Sequence, residues 1–192
     1  MKNTHTFSKD ISDSNTRKYG REALSIVRRS ASPNKAHWVG MILILCGAVS
    51  ADQLTKLLIS SRMLLGESFH VVGPFSLTYV ENSGVAFGFL QGAATIVTIL
   101  TCIAITWMVI YFARSGAKHQ FLPIALGFLI GGSIANLIDR LRLGKVTDFI
   151  DPEFWPAFNL ADVFITIGVI LLFVTIVDSE RQPRFKERAG SQ

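Results

Sequence analysis

The sequence predicts an all-α membrane protein of four transmembrane helices, with a short strand-forming segment held at the outer membrane surface. Three observations predict it. Apolar residues are gathered into four long blocks, although they make up only 49% of the 192 residues and mean hydropathy is only +0.40. The net charge of +5 is concentrated in polar segments that flank those blocks. Between the first two blocks lies a run of β-branched and aromatic residues interrupted by Gly73-Pro74. A soluble protein can reach the same apolar fraction, so the clustering decides for a membrane. The length suits one domain and hardly two.

Residues 1–36 are polar and hold Lys2, Lys9, Arg17, Lys18, Arg21, Arg28, Arg29 and Lys35. They read as a disordered basic cytoplasmic arm, within which REALSIVRR suits a short amphipathic helix on the membrane surface. A four-span domain is expected over 37–178. A bilayer core needs ~20 helical residues, and the first span supplies them from about Trp38 to Ile59, with Asp52 and Lys56 near its outer end. A competing reading takes Arg28-Arg29, the apolar run and Ala48-Val49-Ser50 as a cleavable signal peptide ending before Ala51. Phe69–Val72 and Phe75–Val80 have strand character. An open sheet cannot cross lipid, so this segment belongs at the surface. The second span is expected over 93–112, the third over 121–138 and the fourth over 161–177. Residues 113–120 form a loop with Arg114 and Lys118, and 179–192 a basic cytoplasmic tail.

Four spans place both termini on one side. Most Lys and Arg then fall on that side, and positive charge beside a span marks the cytoplasm. The same charges in a soluble chain would suggest nucleic acid, but here they border hydrophobic spans.

Ionisable groups near membrane depth are costly and mark function or pairing. Asp52, Asp139, Arg140, Asp148 and Asp162 all sit near outer span ends, and Glu81 lies in the outer segment. Asp52 and Lys56 are i and i+4 and read as a structural ion pair. Asn82, Gly84 and Gly88 suit either a hairpin corner or a turn presenting amides to a peptide. Gly131 and Gly132 suit close helix packing, while Asn136 and Arg140 share a helix face. Asp148 and Asp162 are fourteen positions apart around an aromatic, proline-containing linker. Two carboxylates brought together share a proton and titrate as a unit, which equips them to activate water and polarise a carbonyl. Asp151 and Glu153 compete for that role. Ser133 has no suitable histidine, since His119 is expected on the opposite side. Cys46 and Cys102 lie in apolar blocks without a CxxC pair, so no metal or other cofactor is expected.

Taken in order, DQLTK (Asp52 to Lys56), ENSGVAFGF, GGSIANLIDR, VTDFID and FNLAD resemble the lipoprotein signal peptidase (signal peptidase II) family. The resemblance covers about residues 38–178. It implies four transmembrane helices with a small extracytoplasmic β-cradle, in a multi-pass protein of the bacterial inner membrane whose active site is at the outer, periplasmic face. It implies an aspartic endopeptidase that cuts just before the diacylglyceryl-modified cysteine of a prolipoprotein. The catalytic pair would be Asp148 and Asp162, with Asn82, Gly84, Asn136, Arg140 and Asn159 binding substrate or supporting the site. Asp52, Lys56 and Asp139 would be structural, Asp139 as partner of a neighbouring basic group. The expected partners are prolipoprotein substrates and membrane lipid, with no nucleic acid, and the chain is expected to act as a monomer. The N-terminal arm is long for the family and the 148–162 stretch is compact. Two other classes fit the acidic residues: a small proton- or ion-coupled transporter, and a non-catalytic assembly subunit.

Overall fold

The computed structural model describes residues 33–83, 94–115, 121–152 and 154–189. The expectations for residues 1–32, Gly84, Gly88, Lys118, His119 and Glu153 lie outside them. Among the described residues, four helices are each long and apolar enough to cross a membrane. They are α1 (Lys35–Arg62), α2 (Ala94–Ser115), α3 (Leu122–Leu143) and α4 (Leu160–Ala189).

Helix α1 starts at a capping box. The Asn34 side chain accepts from the His37 backbone N–H at 2.9 Å, and the Asn34 N–H donates to His37 Nδ1 at 3.3 Å. These bonds satisfy backbone donors that a first turn leaves open. The helix then runs unbroken through Ser50 and Ala51, so the segment a signal-peptide reading would remove is part of the bundle. Helix α3 carries Pro in its first turn and stops at Gly144, whose φ of 71° is the left-handed conformation that glycine adopts without strain. Helix α4 continues to Ala189, well past the expected end of the span at Val177.

The core runs along α3. In its apolar stretch 67% of residues are buried, against 11% for α2. Small residues make this possible. A Cβ on Gly127 or Gly131 would come within 3.0 Å of the α1 carbonyls of Met41 or Leu45. On the opposite face, a Cβ on Gly132 would sit 2.5 Å from the Ala161 carbonyl of α4, and one on Gly168 would sit 2.8 Å from Ala125 O. Lipid supplies no hydrophobic force between helices, so close backbone approach of this kind holds them together. Helix α2 packs more loosely, through Met108 and Phe112 against Met41, Leu122, Leu126 and Ile130. Leu43, Leu57, Trp107 and Phe173 point outwards and are largely exposed, as a lipid-facing surface requires.

A three-stranded antiparallel sheet, in the order β1-β2-β3, caps one end of the bundle. Its strands are β1 (Ser68–Val72), β2 (Phe75–Asn82) and β3 (Val146–Pro152). The first two match the strand-like runs on either side of Gly73-Pro74, and Gly73 takes a φ of 56° in the turn. The third lies between the third and fourth spans, where no strand was expected. Val80 faces Asp148 and Asn82 faces Val146 across the β2–β3 ladder. Beyond β3 the chain doubles back, and Phe158 pairs with Ile150. Phe158 accepts from the Phe149 and Ile150 N–H groups at 3.0 and 2.8 Å and donates to Ile150 O at 2.9 Å. That return delivers Asn159 and the first turn of α4 to the side of Asp148.

Candidate active site

Asp148 sits on β3, and Asp162 sits in the first turn of α4. Both line one cavity of about 660 Å³ together with Asn82, Asn136, Arg140 and Trp155. Asp151 is not among the described lining residues; it lies further along β3 opposite Ser76.

Asn159 joins the two carboxylates. Its Nδ2 donates to Asp148 Oδ1 at 2.7 Å, and its backbone N–H donates to Asp162 Oδ2 at 3.2 Å. Its Oδ1 accepts from the Asp162 N–H at 3.1 Å, so Asn159 also caps α4. Asn82 Nδ2 donates to the second oxygen of Asp148 at 3.1 Å, and Asn136 Nδ2 to Asp162 Oδ1 at 2.9 Å. Arg140 shares the cavity wall and interacts electrostatically with both acids. Asn136 and Arg140 occupy one face of α3, as their spacing predicts.

Asp148 is 2% exposed. Burial pushes its carboxyl up from the ordinary 3.8 to about 6; the Asp162 charge adds to the rise, while the Asn82 and Asn159 amides and the Lys56 charge oppose it. Desolvation therefore dominates. A buried acid whose proton affinity is raised toward neutrality, beside a second acid on the same cavity, can supply both a general acid and a general base.

A second acidic cluster lies behind this one, between α1 and α3. Lys56 Nζ meets Asp52 Oδ2 at 2.7 Å and Asp139 Oδ2 at 2.9 Å. The basic neighbour of Asp139 is thus a lysine from another helix. Gln53 was absent from the sequence-based expectations; its Nε2 donates to Asp139 Oδ1 at 2.9 Å and to Ala135 O at 3.2 Å. The apolar cavity wall of Trp155, Pro156 and Phe158 was also unforeseen, although the aromatic content of that linker was visible. Among the described residues, no group of three His, Cys, Asp or Glu side chains is placed to hold a metal ion.

Fold and site together define a protein of four membrane-spanning-capable helices, with two carboxylates in a cleft under a small sheet at one end of the bundle. A sequence profile described as Signal peptidase (SPase) II matches residues 43–178. A lipoprotein signal peptidase of Symbiobacterium thermophilum is 37% identical over 146 residues, covering 73% of this chain and 96% of its own length. One from Staphylococcus aureus is 36% identical over 160 residues, covering 80% and 98%. A solved bacterial membrane enzyme structure, determined by the in meso method at 2.3 Å, superposes with a TM-score of 0.71 at 33% identity, covering 80% of this chain and 94% of that one. The chain belongs to the signal peptidase II family, and it is a peptidase.

Proposed function

We propose that this peptidase removes the signal peptide from diacylglyceryl-modified prolipoproteins, cutting just before the lipidated cysteine with a water activated between Asp148 and Asp162. The observation that carries the assignment is Asn159, which holds one carboxylate by its side chain and the other by its backbone within a single cavity. The dyad keeps one proton between its members. The ionised member takes a proton from the attacking water, and the protonated member hydrogen-bonds the scissile carbonyl. Arg140, Asn82 and Asn136 fix the carboxylates and offer donors to the peptide backbone. Gly84 is assigned to substrate binding by its place in the ENSGVAFGF motif. Asp52, Lys56 and Asp139 support the helix ends behind the dyad.

The cavity lies where α1 and α3 end and α4 begins, beside the sheet. We assign this end to the periplasmic face and both termini to the cytoplasm, with 1–36 as a basic arm and 179–192 as a basic tail. The charge bias of the sequence supports this orientation. A lipid-bearing cysteine stays anchored at that same surface, which brings the bond before it to the cavity mouth.

The test uses purified enzyme in lipid nanodiscs with a precursor supplied either with or without the diacylglyceryl group. Mass spectrometry should find a product beginning at the lipidated cysteine and little product from the unmodified precursor. Equal cutting of both, or cutting at another bond, would refute the assignment.

A further inference from the structure

We infer that Lys56 is a positioning residue for the reaction: its buried ammonium fixes which way the Asn136 and Asn159 amides face, so that both present N–H groups to the Asp148–Asp162 dyad. The inference rests on the dyad reading above and concerns a residue outside the cavity that houses it.

An ammonium has three donors and no acceptor. Lys56 is 4% exposed, and three oxygens meet its Nζ: Asp52 Oδ2 at 2.7 Å, Asp139 Oδ2 at 2.9 Å and Asn136 Oδ1 at 2.9 Å. Only the oxygen end of an amide can face such a group, so Asn136 is locked with Nδ2 toward Asp162, at 2.9 Å. The same Asn136 oxygen accepts from Asn159 Nδ2 at 3.0 Å. That bond locks Asn159 in turn, leaving its Nδ2 on Asp148 at 2.7 Å and its Oδ1 on the Asp162 N–H at 3.1 Å. One cation therefore sets the sense of every bond in the chain Lys56–Asn136–Asn159. Without it, either amide is free to turn and set an oxygen against a carboxylate.

The two acids on Lys56 act in the same direction. Asp52 Oδ1 accepts from the Ala161 N–H at 2.8 Å, and Asp139 Oδ2 accepts from the Thr147 N–H at 3.2 Å. Ala161 directly precedes Asp162, and Thr147 directly precedes Asp148. The cluster thus grips the backbone one residue before each member of the dyad, and Lys56 is the common point of both grips.

The test compares wild type with Lys56→Met in nanodiscs on a lipidated precursor, with the folded fraction counted by binding of a non-cleavable lipidated peptide. Other charged or titratable groups face this region. Asp52 is on α1, Asp139, Arg140 and Arg142 on α3, Tyr79 and Glu81 on β2, Asp148 on β3 and Asp162 on α4. None of them changes in the variant. Per folded molecule, kcat should fall about 100-fold, as misplacement by about 1 Å does, while KM changes little. The acid limb of the kcat–pH profile should move to higher pH, because the cation that favours ionised Asp148 is gone. If Lys56→Met does not fold, Asp52→Asn/Lys56→Met/Asp139→Asn buries no net charge and takes its place, with the same kcat loss expected. Unchanged kcat and pH profile in the folded variant would overturn the inference, as would failure of both variants to fold, since Lys56 would then act in folding alone. Wild type that does not cleave the precursor would instead defeat the dyad reading.

Discussion

Two acidic clusters lie against the same stretch of α3, and they resemble each other until their partners are compared. Asp52 is 0% exposed and Asp148 is 2% exposed, so burial does not distinguish them. Their neighbours do. The Asp52–Asp139 cluster closes on the Lys56 cation, and its oxygens also accept from Gln53 and the backbone N–H groups of Thr147 and Ala161. Asp148 and Asp162 receive neutral amides and open onto a cavity. A buried acid paired with an internal cation contributes to architecture. A buried acid whose side-chain hydrogen bonds come from neutral amides retains affinity for a proton, which is the property hydrolysis requires.

This contrast can be broken by substitution, and the largest effect is expected in the amide-held pair. Asp148→Asn or Asp162→Asn should lower kcat by at least ~10³-fold, as loss of a residue from a catalytic unit does, while the protein still folds and binds precursor. Single-turnover cleavage measures this, and a variant retaining a tenth of the rate would remove that aspartate from the mechanism. The cation-held cluster should respond in stability. Asp52→Ala takes one of two carboxylates from Lys56 and strands the Ala161 N–H, with a cost of about 3–5 kcal/mol, read as a lower midpoint in thermal or denaturant unfolding.

Asp148→Asn should differ from Asp52→Ala in sign. The folded-state value of Asp148 is raised from 3.8 to about 6, so its stabilising contribution is complete below 3.8 and is lost as pH rises through about 6. Asparagine does not titrate. The variant should therefore gain on wild type across that window, by up to about 3 kcal/mol near neutral pH. Melting curves at pH 4 and pH 7.5 test this; a difference between the two proteins that does not change with pH would contradict it. The smallest effect is expected at the helix seam both clusters share. Gly132→Ala sets a Cβ 2.5 Å from Ala161 O, so α4 must shift, at about 1–3 kcal/mol. Because Asp162 moves with α4, kcat should fall more than KM rises.

The four spans were legible because lipid imposes long apolar blocks, and each helix extends only a few residues beyond its block except at the end of α4. The small residues Gly131 and Gly132 were legible for the same reason. Strand β3 was not. Val146, Thr147, Asp148 and Phe149 are all buried, so the alternation that marks a half-exposed strand is missing. The return of Phe158 onto Ile150 depends on that strand and was hidden with it. Composition alone left Asp148, Asp151 and Glu153 as rivals. The motif resemblance singled out Asp148, and the turning back of the chain accounts for Asp148 reaching Asp162. Lys56 was visible only as the i+4 partner of Asp52. Its bonds to Asp139 and Asn136 cross from α1 to α3, and a local pattern holds no trace of such contacts.

The central claim is that Asp148 and Asp162 work as one unit on one water, and a double-mutant cycle tests it most directly. Cleavage of a lipidated prolipoprotein is measured for wild type, Asp148→Asn, Asp162→Asn and the double variant, each corrected for folded enzyme. If the two carboxylates are one unit, each single variant falls to the same floor as the double. If the losses instead multiply in the double variant, or either single variant retains substantial cleavage, the carboxylates act independently and the account is wrong.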